Sequence, residues 1–224
     1  MGQDYAEGDK YEKITSQILK VFFNIDAKMI SYKEDPKFQD DGMDGIIVSP
    51  ASLKNITLQV KMFKNTNKYQ TFPWEVSRFL LKEKTHIIEP HKADFHIIVD
   101  PVESVEGTEL YFWIIKTGNY PSFFMGLWER AVDQLGEPSG GVKWERIQGK
   151  VEEYYRMYFE GYTLYQLTKK HTALQRNVRF FLNKAEDMYN FSILIPKNTE
   201  ISNNKGNLKI KNKNSEPLEE YLLR

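Results

Sequence analysis

The chain has 224 residues, 41% of them hydrophobic and 28% charged, with 31 basic and 31 acidic side chains and a formal net charge of zero. That content supports a packed core and excludes global disorder. The balanced charge excludes nucleic-acid binding through bulk charge alone, while leaving room for a local basic face. With no cysteine, disulfides, thiolate metal sites and a cysteine nucleophile are excluded.

Residues 5–25 read as a helix, because Tyr11, Ile14, Ile18, Phe22 and Ile25 recur at three- and four-residue spacing. Glu12 lies beside that stripe. Lys28 to Tyr32 reads as a short strand, and residues 33–39 as a polar loop. Residues 44–48 form the first clear strand and 56–63 the second, a hairpin with turn material between. In the second strand Leu58, Val60 and Met62 point one way, and Thr57, Gln59, Lys61 and Phe63 the other. Pro73 is expected to open a helix carrying Val76, Phe79 and Leu80. Phe95–Asp100 and Leu110–Lys116 read as central strands, nearly without polar residues.

Beyond Gly118 the pattern changes. Phe123 to Leu135 reads as an aromatic helix, broken at Gly136–Gly141. The tyrosines and phenylalanine between Tyr154 and Tyr165 recur at helical spacing, so a helix stripe is preferred there over a base-stacking platform. Another helix is expected over 172–188, then a short strand at 191–195, a small hairpin near Leu208–Lys211 and a final helical turn. Arg176, Arg179 and Lys184 make either a basic helix face over phosphates or a plain solvated face. The expectation is an α/β fold, a mixed sheet flanked by helices with a helical C-terminal elaboration. It divides into an α/β core at 1–135 and a mostly helical region at 136–224.

The chemistry gathers on the hairpin. Gln59 and Lys61 leave one face of a strand, and Asp44 at the start of its neighbour can project to that face. A carboxylate, an amide oxygen and an ammonium side by side are the minimum for metal-assisted phosphodiester hydrolysis. Glu12 can add a carboxylate, with Glu7 as the substitute in another helix register. Plainer readings stand beside this one: Asp44 as a turn residue, Lys61 at a sheet edge, Glu12 as a surface acid. Asp40 and Asp41 read as solvated loop charges. The four histidines have no zinc-ligand spacing, and His96 reads as a core histidine.

The run Asp41-Gly42-Met43-Asp44-Gly45-Ile46-Ile47, followed by Leu58-Gln59-Val60-Lys61, resembles the PD-(D/E)XK nuclease superfamily, and most of all its Mrr-like restriction endonuclease branch. There Gln commonly replaces the acid before the lysine, and the N-terminal helix usually carries a glutamate, as Tyr11-Glu12-Lys13-Ile14 does here. The resemblance covers residues 5 to 116 and lacks the proline before Asp44. It implies a restriction-endonuclease-like fold and Mg²⁺-dependent cleavage of double-stranded DNA, with Mn²⁺ able to substitute. Asp44, Gln59 and Glu12 would be the metal ligands and Lys61 the catalytic lysine. It also implies a restriction or defence role and a possible homodimer. The alternatives are a noncatalytic nucleic-acid-binding module on the same fold and a component that binds a protein partner. The first residues lack a signal-peptide pattern and no apolar run approaches the about 18 residues of a membrane span, so a cytoplasmic protein without membrane contact is expected.

Overall fold

The structure, a computed structural model, describes all residues except 1, 32, 49–54, 81–84, 88, 90, 139–142, 149–152, 170–171, 202–207 and 213. The chain runs α1 (Gly2–Phe23), β1 (Ala27–Met29), α2 (Pro36–Asp40), β2 (Gly45–Ile47), β3 (Ile56–Met62), α3 (Thr66–Tyr69), β4 (Thr71–Glu75), β5 (Arg78–Leu80) and β6 (Thr85–Ile87). It continues β7 (Phe95–Glu103), β8 (Gly107–Lys116), α4 (Tyr120–Leu135), β9 (Glu145–Gln148), β10 (Glu153–Phe159), β11 (Tyr162–Lys169), β12 (Thr172–Phe181), β13 (Met188–Pro196), β14 (Lys209–Asn212) and α5 (Leu218–Leu223). The class is mixed α/β.

Seven strands form the first sheet in the order β1-β2-β3-β7-β8-β13-β14. Only the central pair β3–β7 is parallel; the others are antiparallel. Alternation along its strands serves two cores. Leu58, Val60, Phe95, Ile97, Val99, Leu110, Phe112 and Ile114 pack with Tyr11, Ile18 and Leu19 of α1 and with Tyr221 of α5. On the other face Ile98, Trp113 and Ile115 pack under Phe124, Leu127 and Trp128 of α4 and under a second sheet, whose Phe72, Trp74, Leu164, Val178 and Phe180 face inward. That second sheet is antiparallel, in the order β4-β12-β11-β10-β9.

The expected helix over 5–25, the first-half hairpin and the helix ending at Leu135 are all present. Three expected helical segments are strands instead. Pro73 does not open a helix. It sits in β4, at one edge of the second sheet and in register with Arg179, where a residue without an N–H is tolerated. The tyrosine run is a hairpin, not a helix. Tyr155, Met157 and Phe159 pack toward the core, while Tyr154, Arg156 and Tyr158 alternate with them. Glu160 and Gly161 turn the chain at φ +47° and +79°, the left-handed pair that a two-residue hairpin needs. Residues 172–181 form β12, followed by a single 3₁₀ turn at Leu182–Lys184. Among its described residues the region 136–224 is therefore mostly strand rather than mostly helical. Its β9–β12 share a sheet with β4 from the first half, and its β13 returns to pair with β8.

Candidate functional site

The site forms where the α2–β2 turn meets β3. Gly42, at φ +76°, turns the chain after α2, and Asp44 follows one residue before β2. The Asp44 N–H donates to the Leu58 carbonyl at 2.7 Å, and its Oδ2 accepts the Val60 N–H at 2.7 Å. The acid thus brackets Gln59 through the residues on either side of it. Both Asp44 and Gln59 are buried. Because Leu58 and Val60 belong to the core under α1, Gln59 and Lys61 point to the opposite face, as the alternation predicts.

Three carboxylates, Asp44, Glu75 and Glu12, act electrostatically on Lys61. Burial and the neighbouring Asp44 charge push the Glu12 carboxyl from 4.5 up to about 7, with Lys61 pulling the other way. Burial also raises the Asp44 carboxyl, against the opposing influence of Lys61 and the Val60 N–H. Burial disfavours the Lys61 ammonium, but Asp44, Glu75 and Glu12 outweigh it and hold Lys61 protonated above its usual range. Glu12 arrives from α1, Asp44 from the turn, Lys61 from β3 and Glu75 from β4 of the second sheet.

Of the residues singled out in the sequence, Glu12, Asp44 and Lys61 are thus within electrostatic reach of one another, with Gln59 adjoining them. Glu7 lies on α1, but its side chain is outside the described residues. Two further participants carried no sequence signal. Glu75 fell in a segment read as helix. It comes within electrostatic reach of Lys61 from β4, whose Phe72 stacks on Phe63 (centroids 6.0 Å apart) and whose Trp74 ring lies tilted against His96 (4.4 Å). His91 is buried, and its Nδ1 accepts a hydrogen bond from Gln59 Nε2 at 2.9 Å.

Two smaller expectations are corrected. Asp41 is not a solvated loop charge: its carboxylate is 15% exposed and pairs with Lys92 at 2.8 Å. Arg176 and Arg179 do not share a basic face, since three residues apart on a strand they point to opposite sides. Arg176 is committed to Gln166 (3.1 Å), Glu137 (3.1 Å) and the Trp128 ring. His96 is a buried core histidine, with its Nδ1 2.8 Å from Thr117 Oγ1 and its pKa well below the ordinary value through burial first and the neighbouring His91 and Lys61 second.

The donor set for a metal is two carboxylates and an amide oxygen. Among the described residues no group of three or more His, Cys, Asp or Glu is placed to hold an ion. The set nonetheless suits Mg²⁺, which takes one or two carboxylates and fills its remaining positions with water and substrate oxygens. The raised Glu12 and Asp44 carboxyls fit this. Two acids in a poorly hydrated place resist ionising together, and a divalent cation removes that resistance. Comparison of the chain with family models, with characterised proteins and with solved structures gives no match.

Proposed function

We propose that the protein is a Mg²⁺-dependent endonuclease that hydrolyses DNA phosphodiester bonds, with Mn²⁺ able to substitute. The observation that supports this reading most is the meeting of Glu12, Asp44 and Lys61 beside Gln59, with the Glu12 carboxyl raised to about 7. A hairpin carrying acid and Gln-x-Lys, and a strand parallel to its second member, also accord with the resemblance to PD-(D/E)XK nucleases.

The bound cation would polarise the phosphate and lower the pKa of water near it. Asp44, Gln59 and Glu12 would hold it. Lys61 stays protonated, so its part is to orient the attacking water and to offset the charge that develops on the phosphate oxygens. Glu75 steadies that ammonium from the second sheet. One such site cuts one strand at a time, so cleavage of both strands favours a homodimer. The setting we infer is restriction or another cytoplasmic defence against foreign DNA. Among the described residues no helix is long and apolar enough to cross a membrane.

A second reading draws on the neutral Gln59 and on the absence, among the described residues, of three or more His, Cys, Asp or Glu placed to hold an ion: a noncatalytic nucleic-acid-binding module on the same fold. Incubation with supercoiled plasmid in Mg²⁺ or Mn²⁺ separates the two. The wild type should nick or linearise the plasmid, and Lys61→Ala and Asp44→Asn should each lower the rate about 100-fold or more. DNA binding without cleavage in either metal supports the module instead.

A further inference from the structure

We propose that His91 is a positioning residue that fixes the Gln59 amide so that its oxygen, not its nitrogen, is offered to the cation; this rests on the reading of Gln59 as a metal ligand. Gln59 Nε2 lies 2.9 Å from His91 Nδ1, and both side chains are buried. An amide presents two donors on one atom and an acceptor on the other. Once the NH₂ group is given to Nδ1, the oxygen is directed away from the ring. The same bond sets the imidazole tautomer, with its hydrogen on Nε2.

The histidine has a prepared seat. A Cβ on Gly42 would stand 2.0 Å from His91 Nδ1, so the ring lies directly against the glycine backbone. Lys92 anchors the same loop to the turn twice. Its N–H donates to the Asp41 carbonyl at 3.2 Å, and its ammonium pairs with the Asp41 carboxylate at 2.8 Å. The ring's other neighbour is His96, edge-on at 5.9 Å between centroids. The Asp41-Gly42-Met43-Asp44 turn therefore does two things. It delivers Asp44 to β3, and it seats the ring that orients Gln59 on that strand. A neutral amide binds a cation more weakly than a carboxylate does. Fixing its orientation beforehand recovers part of that deficit, as supporting hydrogen bonds do for metal ligands in general.

The test is Mn²⁺ binding by titration calorimetry, without DNA, on the full chain, with thermal melts of every variant in the same buffer. Gln59→Ala reports whether Gln59 is a ligand. His91→Phe keeps the ring volume without an acceptor, His91→Ala removes both, and His91→Asn restores an acceptor near the Nδ1 position. The expected result is Mn²⁺ binding weakened by about tenfold or more in Gln59→Ala, His91→Phe and His91→Ala, with His91→Asn within about threefold of wild type. If Gln59→Ala weakens binding while folded His91→Phe or His91→Ala binds as wild type does, the role of His91 is overturned and the site stands. Equal losses in His91→Asn and His91→Phe also overturn it. If Gln59→Ala binds Mn²⁺ as tightly as wild type, Gln59 is not a ligand and the underlying reading falls.

Discussion

Glu12 is the residue on which the chemistry and the stability of the free protein most visibly conflict. Its carboxyl titrates near 4.5 when unfolded and at about 7 when folded, from burial first and the Asp44 charge second. Between those values the folded state holds the proton that the unfolded state has released, so stability falls as pH rises, with the loss complete above about 7. Thermal melts from pH 5 to 8 should therefore show a steeper decline in wild type than in Glu12→Gln. Added Mg²⁺ should raise the wild-type Tm more at pH 8 than at pH 5, because the cation competes with the proton for these acids. A Glu12→Gln profile that parallels wild type would contradict the assignment. Glu12, Asp44, Gln59 and Lys61 were legible because local pattern places them: two strand positions two apart, an acid in a glycine-rich turn, a glutamate beside a helix stripe. Glu75 and His91 were not. Each reaches the site through packing between segments distant in sequence, β4 over β3 and β7 in one case, the loop before β7 against Gly42 in the other.

At the scale of elements, the first sheet depends on buried carboxylates that tie loops to strands. Asp100, fully buried on β7, accepts the N–H of Asn65 at 3.0 Å and of Asn67 at 2.7 Å, holding the short helix α3 that leads into β4. Asp100→Ala leaves both donors without that acceptor and should cost about 1–3 kcal/mol in urea unfolding. In the second sheet, Gly161 has open space around a would-be Cβ, so only its left-handed backbone resists substitution. Gly161→Ala should cost about 1–2 kcal/mol by the same measurement. No change in either variant would count against the described turn or cap. The sequence is ambiguous where two periods coincide. Tyr154, Tyr155, Tyr158, Phe159, Tyr162 and Tyr165 satisfy a helical spacing, but they equally satisfy two alternating strands around a Glu-Gly turn. The aromatic content favours the strands. Pro73 gives the same local signal at a helix start and on a sheet edge, and only the pairing of β4 with β12 decides between them.

At the scale of the molecule, the two sheets are interleaved along the chain. β4 leaves the first half to join β9–β12, and β13 comes back to pair with β8 from Met188↔Ile115 to Pro196↔Gly107. Helix α5 then places Tyr221 under the first sheet, its hydroxyl donating to the Ile114 carbonyl at 3.0 Å. A fragment ending at Leu135 lacks β9–β14 and α5 and leaves Trp74 and Phe72 without Val178 and Phe180. It should give a poorly dispersed amide spectrum, whereas the full chain should unfold in one transition by circular dichroism and fluorescence alike. A folded fragment would show that the second sheet is dispensable. The same interleaving brings Glu75 within electrostatic reach of Lys61, so the second sheet acts on the site as well as on the core. If Glu12, Asp44 and Gln59 form one cation site near Lys61, anomalous scattering from crystals soaked in Mn²⁺ locates the ion there. We predict a peak between the Glu12 and Asp44 carboxylates with the Gln59 oxygen among its ligands. A Mn²⁺ peak elsewhere in the protein with none at Asp44 would contradict the account.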